Sequence, residues 1–191
     1  MAAHEFPPAL QFIFKQSLER SELPEDWKRA NISPIFKKGS KADPANYRPI
    51  SLTCVCCKLL EHIVDSQLMK FITKHQILSD AQHAFRKSRS CETQLITTLH
   101  DLTTNHNNHQ TTDIAILDFS KAFDVVPHQR LLQKLSHYGM RNKLLGWIKA
   151  FLTNRTQRVV VKGKYSPWDP VPRLSGVPQG SVLGPTSSFS S

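Results

Sequence analysis

Long apolar runs are missing from this chain of 191 residues, and we expect no membrane span because no stretch of roughly 18 apolar residues occurs. The N-terminal segment MAAHEFPPALQFIFKQ also lacks a basic region followed by uninterrupted apolar residues, so we expect no secretory signal. Apolar residues still make up 39% of the chain, which is enough for a core and excludes wholesale disorder.

Cysteine is scarce, and its spacing does not fit a zinc site. Cys54 and Cys57 stand at C-x-x-C spacing, but no second such pair occurs and no histidines fall at H-x₃₋₅-H beside them, so four zinc ligands are not supplied. Free or buried thiols are typical of a reducing compartment, so we expect an intracellular protein. The four cysteines are Cys54, Cys56, Cys57 and Cys91.

Acidic residues are few relative to basic ones. Aspartate and glutamate total 15 against 25 lysines and arginines, which gives a formal net charge of +10 and an isoelectric point of about 9.7. A surface this basic favours a polyanionic partner, and nucleic acid is the leading candidate.

Apolar spacing along the chain predicts both helices and strands. Helices are predicted over residues 8–20, 55–72, 92–105 and 142–152, with a further helix from Pro127 to Gly139. Extended segments are predicted at Ala30–Phe36, at 113–118 as a buried strand, and at 156–168 as a hairpin that turns at Gly163.

The apolar strand predicted at 113–118 ends in an aspartate. Asp118 at the end of a buried strand needs a compensating charge, which a divalent metal ion would supply; otherwise it caps the turn that follows. Phe123 lies five residues later, close enough to flank a ligand held at Asp118, or else it is a core aromatic. This segment on its own leaves both interpretations open.

A turn-rich segment, SGVPQGSVLGP, occupies residues 175–185. Its glycines and proline expose backbone N–H groups beside the amide side chain of Gln179, an arrangement suited to close approach of a nucleotide or a strand. Taken alone, such a segment is more often simply a turn.

Two basic segments offer cations for phosphate groups. The first, KKGSKADPANYRPISL at residues 37–52, is predicted to be a mobile loop, and the second is FRKSRS at residues 85–90. A solvated basic loop is the alternative in each case. Their cations are Lys37, Lys38, Lys41 and Arg48 in the first segment and Arg86, Lys87 and Arg89 in the second.

The order and the residues of these four segments closely resemble the motifs of the reverse transcriptases of non-LTR retrotransposons of the LINE-like, jockey type. That family shows NYRPISL, GFRxxRS, D-x-SKAFD and SGVPQGSVLGP in this order. The present chain has matching residues at 46–52, 84–90, 118–124 and 175–185, and the resemblance extends over roughly residues 20–185.

The resemblance implies an α+β fold of the right-hand polymerase type, with fingers and an incomplete antiparallel palm sheet packed on helices. It implies an N-terminal helical extension at 1–24, fingers at 25–112, a partial palm at 113–185 and a tail outside the family pattern at 186–191. The implied activity is template-directed addition of dNTPs to a DNA primer on an RNA template, in the cytoplasm and nucleus. No membrane partner is implied, and the oligomeric state stays open.

The resemblance also implies roles for single residues. Asp118 would be a metal-binding carboxylate of the palm, and the Phe119 carbonyl a second oxygen ligand, for the Mg²⁺ or Mn²⁺ that two-metal phosphoryl transfer uses. Phe123 would be the aromatic gate that excludes a ribose 2′-hydroxyl, and Gln179 would lie beside the incoming nucleotide. The cations would hold the triphosphate, namely Lys38 (or Lys37) and Arg48, or contact the template, namely Arg86, Lys87 and Arg89.

Two departures from the family pattern stand out. Ala84 replaces the glycine of GFR, which would cost about 1 kcal/mol if that position requires a positive φ. After Pro185 the sequence reads TSSFSS, so the Y-x-D-D box and two of the three expected carboxylates do not follow within these residues. We therefore expect this polypeptide to be inactive by itself.

Two alternatives remain open. The first is a nucleic-acid-binding remnant of a mobile element without catalytic activity. The second is an RNA-dependent RNA polymerase, whose palm also shows a D-x₄₋₅-D motif that Asp118 and Asp124 satisfy. Phe123 would clash with a ribose 2′-hydroxyl in such an enzyme, and Gly180 stands where that enzyme would have threonine.

Overall fold

The computed structural model describes residues 2–118, 123–171 and 174–184. These residues form two compact units. The first unit contains the residues up to Ser66 and the described residues from 123 onward, and the second contains residues 67–118. Within the described ranges, every helix is too short or too polar to cross a bilayer.

Each helix predicted from apolar spacing is confirmed. The helices are α1 (Ala2–Arg20), α2 (Val55–Lys74), α3 (Cys91–Asn107), α4 (His128–His137) and α5 (Asn142–Leu152). The largest difference from the prediction is at α1, which begins earlier and contains Pro7 and Pro8. Pro127 lies directly before α4, where its fixed φ favours the start of a helix and its missing N–H costs nothing.

A mixed sheet is built from the five strands of the described residues. The strands are β1 (Arg29–Phe36), β2 (Tyr47–Leu52), β3 (Thr156–Val161), β4 (Lys164–Tyr165) and β5 (Asp169–Pro170). The order is β2–β1–β3–β4, and β5 also pairs with β3. Because β1 runs antiparallel to β2 and parallel to β3, the chain has a mixed α+β fold, and the coarse fold prediction is confirmed.

The predicted strand at Ala30–Phe36 and the predicted hairpin are confirmed, but the predicted mobile loop at 37–52 is partly wrong. Gly163 makes the turn between β3 and β4 with φ +75°. Residues 47–52 of the predicted loop instead form β2, in register with β1. Pro49 argues against a strand in the sequence, yet it is tolerated because β2 is an edge strand.

Side chains alternate between the two faces of the sheet, and the buried residues of β1 and β2 share one face. Ala30, Ile32 and Ser51 are buried on the first face. Arg48 is exposed and Arg158 is half-buried, and both occupy the alternate positions that point to the second face.

Helix α5 forms the centre of the helical core of the first unit. Trp147 and Phe151 are fully buried on α5, and their rings stack with centroids 5.7 Å apart. The indole Nε1–H of Trp147 donates to Ser17 Oγ on α1 at 2.9 Å. Leu131 on α4 is also fully buried, so α1, α4 and α5 share one core.

The buried strand predicted at 113–118 is wrong. This segment has no regular secondary structure, and its apolar side chains are exposed, Ile116 to 89%. A strand needs a neighbour for its backbone N–H and C=O groups, and no strand of the described residues pairs with this segment. Asp118 therefore lies exposed on an irregular segment instead of ending a buried strand.

The backbone conformation of the connection before α3 shows that the free-energy cost expected at Ala84 does not arise. Ala84 does not adopt a positive φ; that conformation falls instead on Phe85 (φ +56°) and Ser88 (φ +62°). Ser90 then caps α3, because its Oγ accepts from Thr93 N–H at 3.2 Å and Thr93 Oγ1 accepts from Ser90 N–H at 2.9 Å.

Candidate functional site

A cavity of about 360 Å³ lies in the first unit, between the buried face of the sheet and the turn-rich segment at 175–179. Ala30, Ile32 and Ser51 contribute to its wall from the sheet, and Gln179 contributes from the turn-rich segment. Asp124, the residue after Phe123, completes the rim of the cavity. The cavity therefore brings together three of the four segments that the sequence singles out.

Backbone hydrogen bonds fix the segment 174–180, which we call the Gln179 loop. Val177 N–H donates to the Phe123 carbonyl at 2.8 Å, and Gly176 N–H donates to the Val126 carbonyl at 2.9 Å. At the other end of the loop, Ser51 N–H on β2 donates to the Gln179 carbonyl at 2.8 Å. The Gln179 loop is thus held on both sides of the cavity.

Two glycines in this loop are required by its backbone. Gly176 has φ +91°, and a Cβ there would lie 3.1 Å from the carbonyl oxygen of Asp124. Gly180 has φ +96°, and its Cβ would lie 3.3 Å from the carbonyl oxygen of Ser51. Both positions combine a left-handed conformation with close approach of another chain segment, which favours glycine.

The side chain of Gln179 contacts Asp124, the last residue of the segment that resembles D-x-SKAFD. Gln179 Nε2 donates to Asp124 Oδ1 at 3.3 Å, and both residues line the cavity. Asp124 is exposed and lies at the rim of the cavity. The amide of Gln179 therefore has a fixed orientation beside an exposed carboxylate.

A fully buried glutamate anchors the residues that follow the loop. Glu61 on α2 has no exposed surface, and its Oε2 accepts from Val182 N–H at 2.7 Å and from Leu183 N–H at 3.3 Å. The thiol of Cys57, one turn earlier, donates to Glu61 Oε1 at 3.6 Å. Burial raises the pKa of Glu61 even though these hydrogen bonds act in the opposite direction.

Arg155 is the buried cation near Glu61. Its guanidinium donates to the carbonyl of Phe151 at 2.9 Å and to the carbonyl of Trp27 at 3.3 Å, and it stacks 4.9 Å from the Phe151 ring centroid. Burial lowers the pKa of Arg155, and Cys57 and Glu61 raise it in part. The neighbouring charges of Glu61 and Arg155 reduce the cost of burying either one.

His128 fixes the Gln179 loop from α4. The side chain is 5% exposed, and its Nε2–H donates to the Gly176 carbonyl at 2.6 Å. Its Nδ1 is buried and has no hydrogen-bond partner among the described residues. Sequence reasoning missed both Glu61 and His128, although Glu61 lies four residues after Cys57 on the buried stripe of α2.

The cations predicted to hold a triphosphate lie on and before β2. Lys38 is exposed in the connection between β1 and β2, and Arg48 is exposed on the face of the sheet opposite the cavity. Neither residue lines the cavity. The connection is ordered, since Lys37 N–H donates to the Asn46 carbonyl at 2.8 Å and Tyr47 Oη–H donates to the Lys41 carbonyl at 2.8 Å.

The cations predicted to contact the template belong to the second unit, where two of them make intramolecular bonds. Arg86 donates to the Ser79 carbonyl at 2.8 Å and forms an ion pair with Asp80 at 3.6 Å. Arg89 donates to the Asp80 carbonyl and to Asp80 Oδ1, the latter at 3.1 Å. Lys87 is exposed. Asp80, which sequence reasoning did not single out, orders this basic segment.

Three residues were predicted to bind the metal ion or to exclude a ribose 2′-hydroxyl. Asp118 is exposed in the second unit, Phe123 is half-buried in the first, and Phe119 lies outside the described residues. Among residues 2–118, 123–171 and 174–184, no three His, Cys, Asp or Glu side chains come together in a way that could hold a metal ion.

Comparisons with known proteins identify a matching family and several similar proteins. Residues 35–189 match the family described as reverse transcriptase (RNA-dependent DNA polymerase). The chain is 33% identical over 179 residues to a probable RNA-directed DNA polymerase from transposon BS of Drosophila melanogaster. It is 35% identical over 182 residues to the RNA-directed DNA polymerase from mobile element jockey of the same species.

These alignments cover most of this chain but a small part of each relative. They include 92% and 93% of the chain, against 19% and 20% of the transposon BS and jockey proteins. A retrovirus-related Pol polyprotein from type-1 retrotransposable element R2 of Popillia japonica is 25% identical over 88% of the chain and 23% of that protein. The chain thus spans about a fifth of the length of the curated relatives it matches.

Proposed function

The chain belongs to the reverse transcriptase family, and from this premise we propose that it supplies the fingers and the first part of the palm of an RNA-directed DNA polymerase. Residues 25–112 would form the fingers and residues 113–185 the beginning of the palm. Its partners would be an RNA template, a DNA primer and an incoming dNTP.

The observation that carries this proposal is the construction of the Gln179 loop. The loop is bonded to β2 through Ser51 and to the segment after Asp118 through Phe123, so it connects three of the segments that resemble the family. Its cavity presents an amide donor at Gln179 that is already oriented by Asp124. Such a fixed wall with a polar rim is suited to holding a planar ligand such as a nucleotide.

The proposed nucleotide-binding residues divide into contacts with the sugar and contacts with the phosphates. Gln179 would lie against the nucleotide, and Phe123 would limit the space for a 2′-hydroxyl. Lys38 would attract the triphosphate as an exposed cation, whereas Arg48 lies on the face of the sheet opposite the cavity and is not assigned to this nucleotide. Arg86, Lys87 and Arg89 would face the template, with Arg86 and Arg89 held in place by Asp80.

A magnesium site is only partly represented among the described residues. The carboxylate of Asp118 is the hard oxygen ligand that Mg²⁺ prefers, but a single exposed carboxylate does not make a site. We propose that Asp118 contributes one ligand in a complete polymerase, where the metal would activate the primer 3′-hydroxyl. For the same reason we propose that these 191 residues do not extend a primer by themselves.

Equilibrium binding of a fluorescent RNA–DNA template–primer to the 191-residue chain tests the nucleic-acid function. We expect the logarithm of the affinity to fall linearly with the logarithm of salt concentration, with a slope of a few units at roughly 0.7–0.9 per neutralised phosphate. Lys87→Gln, which removes an exposed cation of the segment proposed to face the template, should lower the slope by about 1. Lys143→Gln, which removes an exposed cation on α5, is the matched control and should change it less.

A flat salt dependence, or no binding at low salt, would overturn this function. Primer extension is measured in parallel with Mg²⁺ and with Mn²⁺, and we expect none above background. Incorporation that disappears in Asp118→Ala would show that the 191 residues are active by themselves. Binding without extension would also fit a non-catalytic remnant, which the chimaera described in the Discussion separates from a polymerase segment.

A further inference from the structure

Two exposed aromatic rings and an arginine form a stack on the sheet of the first unit. The guanidinium of Arg158 lies 4.1 Å from the ring centroid of Tyr165 and 4.5 Å from that of Trp168. Arg29 approaches the same indole at 5.8 Å. Arg158 Nε–H donates to Asn31 Oδ1 at 2.8 Å, which fixes the plane of the guanidinium.

Strand register places this stack on the face opposite the cavity. Arg158 on β3 is paired with Asn31 on β1, and Tyr165 on β4 is paired with Val160, two residues after Arg158. Residues two apart on a strand share a face, so Asn31, Arg158 and Tyr165 lie together. Their neighbour Gln157 lines the cavity from the other face. The stack is therefore separate from the Gln179 loop.

The rings remain accessible although they contact arginines. Tyr165 is 57% exposed and Trp168 is 41% exposed. The other two tryptophans of the chain, Trp27 and Trp147, are buried. An aromatic ring that served only the fold would gain most by burial, and these two rings keep much of their surface in water.

Charge around the stack favours an anionic partner. Five cations lie on this face or at its turn. Asp26 forms a 3.4 Å ion pair with one of them, Arg29, whereas Asp169 on β5 is paired with Gln157 and lies on the cavity face. Planar cations and aromatic rings alternating in a basic surface match the alternation of bases and phosphates along a nucleic-acid strand. The five cations are Arg29, Arg48, Arg158, Lys162 and Lys164.

We propose that this surface, which we call the stacking platform (Arg29, Arg158, Tyr165 and Trp168), binds an unpaired nucleic-acid strand. One or two bases stack on the exposed rings, while Lys162 and Lys164 at the β3–β4 turn contact the phosphates. Every base has a π-face, so the platform is tolerant of sequence and accepts both RNA and DNA strands. The inference deepens the proposed nucleic-acid function by assigning it a second surface, away from the nucleotide cavity.

Tryptophan fluorescence of the 191-residue chain tests the platform. A base stacked on an indole quenches its emission, and Trp168 is the exposed one of the three tryptophans. We expect oligo(rU) and oligo(dT) 12-mers to quench part of the emission with saturation. Trp168→Phe should abolish the quenching while binding, followed by anisotropy of a labelled strand, changes little. Trp168→Leu and Tyr165→Leu should each weaken binding roughly tenfold.

Matched controls separate stacking from charge and from unfolding. Phe12→Leu removes an exposed ring on α1, and Arg20→Gln removes an exposed charge at the end of the same helix; both should leave the quenching unchanged. Emission from the buried Trp27 and Trp147 reports whether each variant is folded. Polyglutamate, an acidic peptide, should compete only weakly because it has no rings to stack.

Each outcome has one meaning. Binding of the 12-mers without quenching, or with unchanged affinity in folded Trp168→Leu and Tyr165→Leu, overturns the platform and leaves the proposed function standing. Polyglutamate that competes as well as the nucleic acids would also overturn the platform and indicate an acidic protein partner. Failure of the chain to bind any nucleic acid overturns the proposed function and the platform together.

Discussion

Replacing Glu61 with alanine should loosen the Gln179 loop and lower the stability of the first unit. Glu61 accepts hydrogen bonds from the backbone of Val182 and Leu183, directly after the loop, and its carboxylate is fully buried. Alanine would leave both N–H groups without this acceptor. It would also remove a negative charge that partly offsets the burial of the Arg155 guanidinium.

The size of the effect follows from these contacts. Each hydrogen bond to a charged group contributes about 1.5–3 kcal/mol, so two bonds correspond to roughly 3–6 kcal/mol. Relief of the desolvation that raises the pKa of Glu61 offsets part of this loss. We therefore expect Glu61→Ala to lower the free energy of unfolding by about 2–4 kcal/mol. Glu61→Gln keeps the volume and an acceptor oxygen and should cost about 1 kcal/mol.

Urea unfolding followed by tryptophan emission measures the free energies, and amide hydrogen exchange locates the change. In Glu61→Ala we expect faster exchange at Ser51, whose N–H is bonded to the Gln179 carbonyl, and at Val182 and Leu183. His62→Ala, an exposed neighbour on α2, is the control and should stay within about 0.5 kcal/mol of the parent chain. An unfolding free energy of Glu61→Ala equal to that of the parent, or a loss without faster exchange at these amides, would refute the role of Glu61.

Three further predictions concern pH, a glycine and the exposed apolar segment. Burial raises the folded-state pKa of Glu61. The stability of the parent chain relative to Glu61→Gln should therefore increase as pH falls from 7 towards the ordinary glutamate pKa of about 4.3. A difference in unfolding free energy that stays constant with pH in urea unfolding would contradict this. Gly176→Ala should lower the free energy of unfolding by roughly 1–3 kcal/mol, because it adds a Cβ 3.1 Å from a backbone oxygen at φ +91°. Gly163→Ala, which has open space at φ +75°, should cost less. Equal losses of stability in the two variants would argue against the close approach at Gly176. Ile116→Lys should raise the soluble fraction without lowering the unfolding free energy, because Ile116 is 89% exposed, and a clear loss of stability would show that this side chain is packed.

Much of the fold could be predicted from the sequence because apolar spacing reports which side of a helix is buried. The stripe on α2 and the pattern at the start of α4 identified both helices. The strand β2 was hidden by Pro49, whose tolerance depends on its place at the sheet edge. The segment 113–118 was mistaken for a buried strand because apolar composition indicates burial but does not supply a neighbouring strand.

The candidate site was only partly predictable for a related reason. Gly176 and Gln179 lie in a turn-rich segment, and the glycines and proline of that segment indicate its turn conformation from the sequence alone. The residues that position this segment are remote: Glu61 bonds to Val182 across 121 residues of sequence, and His128 bonds to Gly176 across 48. Such contacts depend on the tertiary fold, and the local pattern of a single sequence does not contain them.

RNA-templated DNA synthesis by a chimaera is the most direct test of the account. Residues 20–184 would replace the matching segment of the jockey polymerase, to which the chain is 35% identical, and dTTP incorporation would be measured on poly(rA)/oligo(dT). We predict synthesis that is lost in Asp118→Ala, and ribonucleotide use that rises at least tenfold in Phe123→Val, a change of about 1.4 kcal/mol in transition-state energy. A folded chimaera that binds the template–primer but makes no DNA, or one whose synthesis is unaffected by Asp118→Ala, would contradict the assignment.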